Sequence, residues 1–178
     1  MTPSADPRLA QVRSILAERG RLAVDDRERL SVARFGEELE RLSAPFDTDA
    51  DPTHVTSSAI VVGEAGVVLL LHKRLGIWLQ PGGHLDPGED VAAAGMREAV
   101  EETGLALHHP PEGPRAVHVD VHLGGRGHTH LDVRWLLLGS GTPNPPPDES
   151  PEVRWFDWDA ALAVADPGVF GALRALRP

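Results

Sequence analysis

Leu9, Val12 and Leu16 recur at helical spacing behind Asp6-Pro7, an N-cap followed by proline at the first helical position. The pattern predicts a first helix that stops at Gly20, a natural C′ residue. Val32, Phe35, Leu39 and Leu42 then form the apolar stripe of a second helix, with Arg27, Glu28, Glu37, Glu38 and Arg41 around it and Pro45 closing it. Pro45 to Pro52 reads as a linker or a packed loop. From His54 the period drops towards two. Val55 to Val62 is β-branched and bounded by Gly63, Gly66 to Leu71 is an apolar run, and a hairpin is expected around Glu64-Ala65-Gly66. A short strand at Ile77-Trp78-Leu79 meets Pro81-Gly82-Gly83, which reads as a turn belonging to neither ladder nor helix. Asp90 to Thr103 is helical and ends at Gly104. Two alternating strands, Ala116 to Leu123 and His130 to Leu138, follow, joined by Gly124-Gly125-Arg126-Gly127. A proline-rich loop (Pro143 to Pro147) leads to a last strand, Val153 to Phe156, and to helices around Asp159 to Val164 and Phe170 to Leu176. Strands on both sides of a central helix, without internal repeat, predict a mixed α/β or α+β domain.

Composition narrows the chemistry. The chain has 178 residues, the size of one domain with some tens to spare, and no cysteine. Disulfides, thiolate zinc sites, iron–sulfur clusters and cysteine nucleophiles are therefore excluded. No apolar run approaches the ~20 residues of a membrane span. The formal net charge of -10 argues against nucleic acid or an anionic membrane as partner, since both are held by basic side chains. The start, Met1 to Asp6, has neither the basic nor the apolar region of a signal peptide, so a cytoplasmic location is expected.

The segment Gly83 to Leu105 carries the chemistry. Its helix places Glu98, Glu101 and Glu102 at i, i+3 and i+4, within an arc of roughly 100°. Such like-charge pairs cost a few tenths of a kcal/mol each. They also sit in the last turn, where the helix dipole disfavours negative charge. Two unfavourable effects point to a third partner, and hard carboxylate oxygens suit Mg²⁺ or Mn²⁺. The opposite side of this helix (Ala92, Gly95, Met96, Ala99, Thr103) is small enough to lie close on a sheet. Arg97 is placed to orient a neighbouring glutamate, and bare backbone at Gly82-Gly83 offers a carbonyl. A solvated acidic helix face is the alternative for any three-glutamate cluster taken alone.

This stretch resembles the Nudix box, G-x5-E-x7-R-E-U-x-E-E-x-G-U with U aliphatic, at Gly83, Glu89, Arg97, Glu98, Ala99, Glu101, Glu102, Gly104 and Leu105. Only Ala99 is smaller than usual. Seven fixed positions make a chance match at a given start on the order of one in a billion, which separates this motif from a lone glycine pattern. The resemblance implies an αβα sandwich with a mixed sheet over residues 51–178, preceded by a helical extension, residues 1–50, that covers the sheet or mediates a homodimer. It implies that Glu98, Glu101 and Glu102 are catalytic and bind Mg²⁺ (or Mn²⁺), that Gly83 supplies a carbonyl ligand, and that Arg97 and Glu89 support them. Members of the family hydrolyse a nucleoside diphosphate linked to another moiety, so the implied partner is a small phosphorylated nucleotide. The family's base varies in position; a box glutamate, Glu149 or Glu152 is a candidate for base or extra ligand.

Outside the box, His118, Asp120 and His122 share one face of their strand, and His128, His130, Asp132 and Arg134 alternate along the next. Paired antiparallel, these strands set a histidine-lined wall beside the metal helix. His118, His130, Asp132 and Trp78 are candidates for a substrate pocket, and the histidines for an additional metal site. An exposed sheet face with solvated histidines is the opposing reading. His84 is expected to be a loop residue of secondary role, and His72-Lys73-Arg74 either contacts phosphate or ends a strand. Subfamily signatures for dinucleoside polyphosphates, ADP-ribose, NADH and coenzyme A are not recognisable. Two rivals stand beside hydrolysis. Isopentenyl diphosphate isomerases share the fold but match the box loosely and rely on a cysteine absent here. A nucleotide-sensing module would bind without turnover.

Overall fold

The computed structural model describes residues 6–147 and 149–178. Two helices come first, α1 (Pro7–Leu22) and α2 (Asp26–Arg41). Asp6 caps α1 by accepting from the Arg8 N–H, and Asp25 caps α2 through the Glu28 N–H. Gly20 does not stop α1, contrary to the sequence expectation. The helix runs on to Leu22 with Gly20 in its last turn, where a Cβ would meet Val32 of α2 at an ordinary 3.6 Å, so the glycine neither ends the helix nor is required by the packing.

The sheet is built from β1 (Thr53–Gly63), β2 (Gly66–Leu71), β3 (Trp78–Leu79), β4 (Gly82–His84), β5 (Leu107–His108), β6 (Ala116–Leu123), β7 (Thr129–Gly139) and β8 (Val153–Phe156). Its order is β3-β2-β1-β7-β5, with β4 on β1, β6 on β7 and β8 on β2. β1 and β7 run parallel in continuous register from Thr53 opposite Thr129 to Val62 opposite Leu138. The other pairs are antiparallel. One expected turn is corrected here: Gly82–His84 pairs with Ser58, Ser57 and Thr56 as a strand. Pro81 fits because it needs only its carbonyl, which accepts from the Ala59 N–H. β5 was not anticipated.

Three further α-helices, α3 (Val91–Thr103), α4 (Trp158–Val164) and α5 (Pro167–Leu176), and a single 3₁₀ turn at Gly125–Gly127 complete the described elements. The two-residue period of β1 divides the layers. Val55, Ala59 and Val61 enter cores shared with α3, whereas Ile60 enters the core shared with α4 and α5. The result is an αβα sandwich with a mixed sheet, preceded in the chain by the helical segment. α1 and α2 share their core with β6, β7 and the start of α3 through Val12, Phe35 and Leu39 against Val119 and Trp135.

α3 is positioned closely. Asp90 accepts from the Ala92 and Ala93 N–H groups at its start, and Gly104 ends it in the left-handed conformation. A Cβ on Gly95 would lie 2.7 Å from both Ser57 Oγ and the Trp135 ring, so only glycine lets the helix approach β1 and β7 this far. No described helix is long and apolar enough to cross a membrane.

Candidate active site

Glu98 and Glu102 point from α3 towards β4, one turn apart. Arg97 organises the group from the side. Its Nε and one Nη donate to both oxygens of Glu89 at 2.9 Å, and its other Nη donates to Glu98 (2.8 Å) and Glu101 (3.1 Å). It also donates to the His84 carbonyl at 2.9 Å, which ties β4 to α3. Glu89 accepts from the Asp86 N–H as well. Arg97 and that bond together hold its carboxyl below the ordinary value, against a smaller opposing effect of burial. Gly83 lies against Glu98 so tightly that a Cβ there would fall 2.5 Å from the carboxylate, which accounts for glycine at this place.

Glu102 is different from its neighbours. It accepts from the Gly82 N–H at 2.8 Å and forms no ion pair among the described residues. Burial pushes its carboxyl up to about 7, with the charges of Glu98, Glu149 and Glu101 adding to the effect. Burial raises Glu98 too, although Arg97 opposes it. A desolvated carboxylate among other carboxylates fits a divalent cation, which would relieve the mutual repulsion.

Linkage makes this testable. Glu102 has a folded pKa above its unfolded value near 4.5, so its contribution to stability is fully present below pH 4.5 and is lost as pH rises through about 7. Urea unfolding of the metal-free protein should show a loss on the order of 3 kcal/mol between pH 4 and pH 8 that Glu102→Gln does not share. Identical pH profiles for the two proteins would contradict the assignment.

A cleft of about 570 Å³ opens beside Glu102, lined by Gly82, Gly83, Thr56, Ser58, Asp132, His84, His122, His130, Arg74 and Leu75 among others. Of the four pocket candidates, His130 and Asp132 reach it. Asp132 accepts from Thr56 (3.1 Å), Ser58 (2.7 Å) and Arg134 Nε (3.0 Å). His118 and Trp78 do not line it. His118 is fully buried beside Arg134, 3.2 Å away, and burial with that positive charge pushes its imidazole down to about 3. Trp78 packs edge-on against Phe156 with the Arg154 guanidinium over its ring. His72 and Arg74 also line the cleft.

Of the two loop carboxylates, Glu149 acts electrostatically on Glu98 and Glu102, whereas Glu152 pairs with Arg154 at 3.4 Å. The polar wall is a ladder buried at one end and open to the cleft at the other: His118 faces Arg134, Asp120 faces Asp132, and the part-exposed His122 faces His130. The solvated reading fails for His118, Asp120, Asp132 and Arg134, which are at most 2% exposed, whereas His122, His128 and His130 keep partial exposure. Asp120 bonds to Arg27, Arg134 and His122, and these partners overcome burial to hold its carboxyl well below the usual range. Thr56, Ser58 and His54 were missed. Their signal was the same two-residue alternation along β1 that marked the histidines of β6 and β7.

A family model described as "NUDIX domain" matches residues 52–176. Among curated proteins the chain is 33% identical over 129 residues to an isopentenyl-diphosphate Delta-isomerase of Frankia alni, covering 64% of each. It is 29% identical over 110 residues to the m7GpppN-mRNA hydrolase NUDT17 of Xenopus laevis, covering 51% of this chain and 36% of that one. The chain thus spans about one third to two thirds of the length of these relatives. A MutT NUDIX hydrolase from Burkholderia pseudomallei has the same fold, with a TM-score of 0.59 at 28% identity over 70% of this chain and 98% of that one.

Proposed function

The chain belongs to the Nudix family, and from that membership we propose that it is a divalent-metal-dependent hydrolase of a nucleoside diphosphate linked to another moiety. The observation that carries this reading is Glu102, a desolvated carboxylate beside Glu98 that forms no ion pair among the described residues, at the mouth of a nucleotide-sized cleft. Glu98, Glu101, Glu102 and the Gly83 carbonyl would hold Mg²⁺ or Mn²⁺, with Arg97 and Glu89 fixing the glutamates. The bound ion would neutralise charge on the pyrophosphate and lower the pKa of an attacking water.

The chain's own residues do the rest. Arg97 spends its donors on Glu89, Glu98 and Glu101 and so acts by positioning. Glu149, whose charge faces Glu98 and Glu102, takes the proton of the attacking water, while Glu152 is committed to Arg154. Arg74 and His72 at the cleft wall supply donors for a phosphate, and Leu75 and Leu79 supply apolar surface for a base. The relative named as a hydrolase of m7GpppN-mRNA is compatible with a pyrophosphate linkage as the target. The isomerase relative supports a second reading, weakened here by the lack of any cysteine.

A panel of nucleoside triphosphates, nucleotide sugars, dinucleotides and isopentenyl diphosphate, with and without Mg²⁺, tests the proposal. Hydrolysis of one nucleotide class only with metal is expected. Isomerisation of isopentenyl diphosphate would replace the reading, and tight binding of a nucleotide without cleavage would make the chain a sensor.

A further inference from the structure

A cluster of four histidines lies outside the carboxylate site. His54 is the second residue of β1, His84 ends β4, and His128 and His130 bracket the start of β7. One ring nitrogen from each can be chosen so that all four lie within 4.8 Å of one another. The rings make contacts that run through the whole set, with centroids of His54 at 4.9 Å from His84, 5.1 Å from His128 and 5.4 Å from His130, and 5.3 Å between His84 and His130.

His54 shows what such a set is suited to. It is fully buried, and its Nδ1 lies 3.2 Å from the Asp51 carbonyl. A carbonyl can only accept, so this contact puts the proton on Nδ1 and leaves the lone pair on Nε2. That Nε2 is buried with no hydrogen-bond partner among the described residues. An unmatched acceptor in the interior is costly. None of the three imidazoles beside it donates to it, and a carbonyl behind the far nitrogen is the usual support of a metal-bound histidine.

We propose that His54, His84, His128 and His130 form a second metal site, a four-imidazole shell for a zinc-class divalent cation. The donors separate it chemically from the carboxylate site. Imidazole nitrogen suits Zn²⁺ and its transition-metal neighbours, whereas carboxylate and carbonyl oxygen suit Mg²⁺. Zn–N bonds of about 2.0–2.1 Å require nitrogens roughly 3.4 Å apart in a tetrahedron, so a contraction of about 1.4 Å from the widest separation of 4.8 Å closes the shell. Four protein ligands fill that shell, which makes the site structural. It clamps β4 and the start of β7 onto β1. Because β4 carries Gly82 and Gly83, the clamp sets the edge of the cleft without joining the reaction.

Zinc alone is the probe, applied to the full chain after removal of metal with a chelator. Elemental analysis after gel filtration should find one equivalent of Zn²⁺, and Co²⁺ in its place should give the intense visible absorption of a tetrahedral site. Zinc should also raise the Tm. His128→Gln, at a half-buried position, should lower Zn²⁺ affinity by about 100-fold or more, since even supporting residues around a metal are worth 10–100-fold. His54→Asn should do the same, and circular dichroism checks that each variant folds. Glu102→Gln should keep its zinc, which separates this site from the carboxylate one. Failure of the wild-type chain to retain zinc, retention by folded His128→Gln, or loss in Glu102→Gln would each overturn the proposal.

Discussion

Glu102→Gln is expected to lower kcat for metal-dependent pyrophosphate cleavage by about 10³-fold or more, on the scale of losing a group that stabilises developing charge. The same substitution should stabilise the metal-free protein at pH 8. Glutamine keeps an oxygen for the Gly82 N–H while removing a carboxylate whose ionisation is opposed by burial and by Glu98, Glu149 and Glu101. The opposite signs are diagnostic, because a residue that merely supported the fold would lose activity and stability together. Single-turnover kinetics on the substrate found in the panel, with thermal melts of both proteins, would decide it. A variant retaining more than about a tenth of the wild-type rate would remove Glu102 from the reaction.

Glu28→Ala should produce the largest loss of stability, about 3–5 kcal/mol by urea unfolding, because it breaks a buried ion pair from one side. Glu28 is fully buried and accepts from Arg19 at 2.8 and 3.0 Å, from the Val24 N–H at 2.7 Å and from the Val119 N–H of β6 at 3.1 Å. Alanine leaves the buried Arg19 guanidinium uncompensated and the β6 amide without its acceptor. Replacing both charges, as Arg19→Met with Glu28→Leu, should recover part of the loss, since two apolar side chains leave no lone charge behind. If Glu28→Ala unfolds within about 1 kcal/mol of wild type, the helical segment is not tied to the sheet through this residue.

Much of this architecture was legible because it is local. The caps Asp90 and Gly104, the i, i+3, i+4 spacing of the glutamates and the hairpin before Gly66 are settled within a few residues of chain. The resemblance to the Nudix box then suggested the roles proposed above, which spacing alone left open. The misreadings are long-range. Whether Pro81-Gly82-Gly83 is a turn or a strand depends on β1, more than twenty residues earlier. His118 and His122 share one strand face and were indistinguishable in sequence. The structure separates them, since Arg134, held to the Gly168 carbonyl of α5, covers His118, while His122 remains at the cleft. The four-histidine cluster draws on β1, β4 and the residues that open β7, so no spacing within one segment revealed it.

The contacts that fasten α2 to β6 also bear on how the chain is made. Arg27 reaches Asp120, Glu28 reaches the Val119 N–H and Ser31 reaches the Val121 N–H, each across about ninety residues. At roughly 5–20 residues per second of synthesis, α2 leaves the ribosome on the order of 5–20 seconds before the strand that neutralises it. Through that interval Glu28 is free to meet Arg19, while Arg27 still awaits Asp120 and the apolar stripe of α2 has no sheet to cover. The nascent helix pair therefore carries an uncovered apolar face through that interval, and completion of β6 supplies the partners of Arg27, Glu28 and Ser31.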